Sequence, residues 1–98
     1  MNMKFGLEEK YFEMIKNVLD KIENIEQVLL FGSRAIGNCK HNSDIDLALK
    51  GKKVEHNTVL KVLNKLDDLP LVYKFDVVNY NTVSGELKEQ IDKYGILI

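Results

Sequence analysis

The sequence is short of several features that commit a chain to a class. Its one cysteine, Cys39, excludes an internal disulfide and any Cys-rich zinc site. A single proline, Pro70, and no Pro/Gly/Ser-rich stretch leave no visible linker. The opening Met1-Asn2-Met3-Lys4-Phe5-Gly6 lacks the apolar block of a signal peptide, and no run reaches membrane-spanning length. Charge of one sign is missing too. Fourteen Lys and Arg against fifteen Asp and Glu leave −1, which gives no basic field for extended nucleic-acid binding and no polyacidic tail. A reduced, cytoplasmic setting without membrane contact is expected.

What is present is ordinary for a folded chain. Ninety-eight residues, 45% hydrophobic and 30% charged, are expected to form one domain over residues 1–98, with one modest core. No repeat or low-complexity tract divides it.

Hydrophobic periodicity gives the order α-β-(turn)-β-α-β-α-(β). Leu7 to Asn24 reads as an amphipathic helix, with Tyr11, Met14, Ile15, Val18, Leu19 and Ile22 on one stripe. Gln27 to Phe31 is a short apolar strand, followed by one helical turn from Ser33 to Gly37. Asp44 to Leu49 alternates, with Ile45, Leu47 and Leu49 on one face and both aspartates on the other. Asn57 to Asp67 is a second helix, stopped by Pro70. Val72 to Asn79 is a strand carrying Asp76 on the face opposite Tyr73, Phe75 and Val77. A last helix runs from Val83 to Tyr94 and ends at Gly95. Ile96-Leu97-Ile98 is expected to add a short strand. The expected fold is α/β (α+β), a mixed sheet of about four strands with helices packed mainly on one side.

The apolar face of the Asp44–Leu49 strand is explained by a core, whereas Asp44 and Asp46 on its other face are not. Residues i and i+2 lie about 6.6–6.8 Å apart along a strand, so both carboxylates can lean toward one cation. Magnesium takes oxygen ligands and usually only one or two carboxylates, which leaves places for phosphate. Taken alone, Asp-x-Asp is better explained as a solvated strand face. Asp76 changes the balance, because it interrupts the most β-prone run of the chain, where aspartate is depleted. On a neighbouring strand it faces the same cation site; its alternative is a pair with Lys74 or another lysine. Gly32-Ser33, where a strand meets a helical turn, aims backbone N–H groups and a hydroxyl at one point and forms a candidate anion site; in isolation it is an ordinary turn. It is not a Walker A loop, since Asn38 and Cys39 stand where Lys and Ser/Thr are required. No GxGxxG follows any strand.

Together the pieces are more specific. Gly32-Ser33, ten intervening residues, Asp44-x-Asp46 and a later Asp76 resemble the nucleotidyltransferases of the polymerase-beta-like superfamily. The stretch GSRAIGNCKHNSDIDLAL, Gly32 to Leu49, looks most like its minimal nucleotidyltransferase (MNT) family, small catalytic domains often paired as antitoxins with helical HEPN proteins. The resemblance implies the polymerase-beta-like nucleotidyltransferase fold. It implies that Asp44 and Asp46 bridge two magnesium ions, and that Asp76 holds the one nearest the nucleophile. It further implies that Gly32 and Ser33 hold the terminal phosphates of a nucleoside triphosphate, ATP being the common donor. Arg34 is a candidate phosphate contact, against a surface or structural arginine. Ile36 departs from the family, which commonly has a second arginine there.

The other conspicuous residues take plainer readings. His41 and His56 lack metal-ligand spacing. Cys39 has no setting that would activate a thiol. Lys50, Lys52 and Lys53 read as a solvated turn, and Tyr73, Phe75 and Tyr80 as core or groove wall. Two further functions stand beside the enzyme. One is a non-catalytic module that binds nucleotide or occludes a partner's site. The other is nucleotidyl transfer to a small molecule held by a partner subunit.

Overall fold

The computed structural model describes residues 3–98. Four strands form one sheet in the order β5-β4-β3-β6: β3 (Gln27–Phe31), β4 (Ile45–Lys50), β5 (Phe75–Asn79) and β6 (Ile96–Leu97). β3 is antiparallel to both β4 and β6, while β4 and β5 run parallel. A parallel pair needs a crossover, and α3 (His56–Asp67) supplies it. The sheet is therefore mixed, as the element lengths require.

Its two faces are covered differently. Leu30, Ile45, Leu47, Leu49, Phe75 and Val77 share one core with Ile15 and Leu19 of α1 (Glu9–Asp20) and Val62 and Leu66 of α3. The alternate residues form a smaller cluster in which Phe31 and Ala48 meet Ile91 of α4 (Gly85–Tyr94). Two long helices thus lie on one face, and the third covers part of the other. None is long and apolar enough to cross a membrane.

Three boundaries differ from the sequence reading. The first helix does not begin at Leu7. Met3–Lys4 (β1) and Leu7–Glu8 (β2) form a hairpin instead, turned by Phe5 and Gly6, both at positive φ (55° and 78°). Such a pair makes the two-residue turn that matches strand twist, and Leu7 enters the core from this hairpin. α1 then buries Phe12, Ile15 and Leu19 and stops at Asp20. β5 starts at Phe75, not Val72, whose side chain is 94% exposed. Gly95 does end α4, but with extended backbone (φ −61°, ψ 141°). The residue is small because a Cβ would overlap the Ile91 carbonyl oxygen, not because the chain turns left-handed there.

Candidate active site

The end of β3 and the starts of β4 and β5 meet at one edge of the sheet. In the ladder, Asp46 stands opposite Phe31 on one side and opposite Asp76 on the other. Adjacent strands are about 4.8 Å apart, so two carboxylates are held side by side on one face. Asp44 precedes β4 by one residue, and the Ile45 N–H donating to the Lys74 carbonyl (2.9 Å) carries the pairing to this point. Asp44 and Asp76 are exposed and Asp46 is half-buried. Burial pushes the Asp46 carboxyl above its ordinary 3.8, the negative charges of Asp76 and Asp44 push it further, and Arg34 pulls the other way. Like charges gathered so closely call for a cation.

Gly32 makes this gathering possible. It leaves β3 at φ 77°, ψ −156° and precedes the single turn α2 (Ser33–Ile36). That backbone is strained for any residue with a side chain, and a Cβ would overlap Asp46 Oδ2. The missing side chain is thus the space the carboxylate occupies. Ser33 opens α2, where the Ala35 and Ile36 N–H groups donate to the Gly32 carbonyl (3.1 and 3.3 Å) and the Ser33 and Arg34 N–H groups have no intrahelical partner. Among the described residues the Ser33 hydroxyl has no hydrogen-bond partner either. Gly37, at φ 83°, ends the turn.

The donor set fits a hard divalent ion: carboxylate oxygens, mutual repulsion and a backbone hollow beside Asp46. No group of three or more His, Cys, Asp or Glu among the described residues is gathered closely enough to hold a metal ion as the side chains stand. Asp44 and Asp76, being exposed, are free to turn toward an ion.

Of the six residues singled out in the sequence, five thus lie around this edge, the three carboxylates and the Ser33 hydroxyl among them with no side-chain hydrogen bond to another described residue. Arg34 differs. It is 2% exposed, with donors turned to backbone carbonyls, including Nη2 to Ser43 O (2.8 Å) and Nη1 to Phe5 O (2.9 Å). These are the contacts of a structural arginine, one of the alternatives that the sequence offered for Arg34. His41 lies in the loop before Asp44, and His56 opens α3. Tyr80 lies beyond it, packed on the α4 cluster, its hydroxyl bonded to Asp92. Two contributors escaped the sequence reading: Tyr73, whose ring lies under the Arg34 guanidinium at 5.1 Å, and the Phe5-Gly6 turn. Gly6 beside an alternating Met3–Glu8 was the available signal for the turn.

Comparison with known proteins agrees with this geometry. Residues 13–98 match the family described as "Polymerase beta, Nucleotidyltransferase". A Methanocaldococcus jannaschii protein bearing the name "Putative protein adenylyltransferase" is 35% identical over 80 residues, 68% of this chain. The match spans 64% of that relative's length. A crystal structure of a toxin–antitoxin with AMP-PNP superposes with a TM-score of 0.70 at 27% identity, over 89% of this chain and 70% of the other. The structure of a tri-AMPylated Shewanella oneidensis HEPN toxin in complex with MNT antitoxin gives 0.64 at 23%, over 91% and 68%, and shows the fold alone. With residues 13–98 matched, the chain belongs to the polymerase beta nucleotidyltransferase family.

Proposed function

We propose that this protein is a magnesium-dependent nucleotidyltransferase that moves AMP from ATP to a side-chain hydroxyl of a helical HEPN-type partner, acting as that partner's antitoxin. The observation that carries the reading is the Asp46–Asp76 pair, locked face to face by strand register beside the Gly32 hollow. A surface strand has no use for such repulsion. The name of the Methanocaldococcus jannaschii relative and the AMP-PNP in the toxin–antitoxin structure support the donor and the acceptor class.

Asp44 and Asp46 would together hold two magnesium ions, and Asp76 would help hold magnesium on the acceptor side. Bound there, magnesium supplies charge neutralisation at the α-phosphate and lowers the pKa of the acceptor hydroxyl. The Ser33 hydroxyl and the N–H groups of the first α2 turn would hold the terminal phosphates, fixing the leaving group on the far side of the α-phosphorus. The acceptor oxygen forms its bond to that phosphorus as the bond to the β-phosphate oxygen breaks. Pyrophosphate leaves with the electron pair, and in this reading Asp76 helps to take the hydroxyl proton. Orientation supplies much of the rate in such a reaction.

The test is intact mass of a HEPN-type partner incubated with this protein, Mg²⁺ and ATP. The partner gains one or more adenylate masses and loses toxicity, and Asp44→Asn abolishes both while still binding the partner. Full neutralisation by Asp44→Asn, with no mass change in either case, would establish occlusion instead.

A further inference from the structure

A buried arginine usually has a carboxylate beside it. Arg34, though 2% exposed, is near enough to Asp46 for its charge to be felt there, yet among the described residues no Asp or Glu oxygen forms an ion pair with it. Its fork is spent on backbone. Nε and Nη2 donate to Ser43 O at 3.3 and 2.8 Å, with Nη2 also 3.5 Å from His41 O. Nη1 donates to Phe5 O at 2.9 Å, and the guanidinium carbon stands over the Tyr73 ring, 5.1 Å from its centre.

Each of these contacts belongs to a segment that carries or abuts the site. Ser43 immediately precedes Asp44, and Tyr73 leads into β5 and Asp76. Arg34 itself follows Ser33 and the Gly32 hollow. Phe5 closes the arrangement from the hairpin: a Cβ on Gly6 would come 2.9 Å from Nη1 and 2.8 Å from Cys39 Sγ, so the turn sits directly on the guanidinium. The loop between Gly37 and Ile45 has little regular structure to satisfy its carbonyls. Without Arg34, Ser43 O and Phe5 O lose these partners, and Asp44 loses its anchor.

We infer that Arg34 is a positioning residue, one planar cation that fixes Asp44, Ser33 and the entry to β5 relative to one another. The inference rests on the nucleotidyltransferase reading for its catalytic consequence, but not for its effect on cation binding. A lysine cannot replace it. An ammonium group has three donors at one point and cannot stack on Tyr73 while reaching Ser43 and Phe5 together.

Three measurements on Arg34→Lys and Tyr73→Leu test this. Mn²⁺ affinity without nucleotide should fall about tenfold in Arg34→Lys, within the range seen when a ligand's supporting partner is lost, and by a smaller factor in Tyr73→Leu. Amide exchange of residues 38–44 in metal-free protein should quicken in both. With ATP, kcat should fall while KM for ATP stays within about twofold, the mark of lost positioning. Tyr73→Leu keeps the arginine and covers the case in which Arg34→Lys does not fold. Unchanged Mn²⁺ affinity in folded Arg34→Lys overturns the inference. So does a raised KM for ATP with kcat kept, which would make Arg34 a phosphate contact. If the wild type transfers no nucleotide yet the Mn²⁺ and exchange effects appear, the positioning role stands and the enzymatic reading falls.

Discussion

Neighbouring residues of β4 live in different media. Leu47 is fully buried between the sheet and the α1/α3 layer, while Asp46, one residue earlier, is half-open on the other face. On that other face α4 reaches only as far as Ala48 and Phe31, and leaves the Asp46–Asp76 end uncovered. One face is packed for stability. The other is left charged and unfilled at the end where chemistry needs room, and the two share every backbone hydrogen bond.

The comparison breaks most sharply at Asp46. Asp46→Asn should lower AMP transfer by more than about a hundredfold, since even outer-shell partners of a metal cost about 10–100-fold. Its melting temperature in magnesium-free buffer should rise, because one of three repelling charges is gone. A variant with wild-type transfer would remove the carboxylate site from the account. Leu47→Ala should do the reverse: about 2–5 kcal/mol lost in urea unfolding, with Mn²⁺ affinity unchanged in the folded protein. Gly32→Ala touches both faces of the comparison. It strains a left-handed backbone at about 1–3 kcal/mol and pushes Asp46 from its seat, so stability and Mn²⁺ affinity should fall together.

The smallest effect is in pH. Asp46 titrates above its ordinary 3.8 in the folded protein. The native state therefore holds a proton that the unfolded chain has already released. Metal-free stability contributed by this group is present at lower pH and is lost as pH rises from about the ordinary value through the raised one. Melting curves across that window should show a downward slope in wild type that Asp46→Asn lacks. Saturating Mg²⁺ should reverse its sign, because the ion binds the deprotonated carboxylates.

Much of this was legible in the residues themselves. Period-two alternation located β4 and put Asp46 and Asp76 on the face away from the core, and Gly32-Ser33 marked a strand-to-helix corner. What alternation could not show was the third dimension of the loop. In the sequence Arg34 stands as a phosphate contact or a surface or structural arginine; only the folded chain brings Phe5, Ser43 and Tyr73 to it from three separate segments. The Phe5-Gly6 turn was hidden for a related reason. Phenylalanine rarely takes positive φ, so local preference argues against a turn that tertiary packing imposes. Gly95 shows the converse, a correct boundary with a different physical cause.

Pairing of β5 with β4 has a hereditary consequence. A slip of one residue would send Asp76 into the oily layer and bring Phe75 and Val77 out to water. The residues that forbid this lie in the core, on the face away from the carboxylates. Drift among Phe75, Val77 and Leu66 is harmless to chemistry so long as the in–out rhythm survives. A lineage that loses the rhythm can forfeit its activity with every aspartate intact.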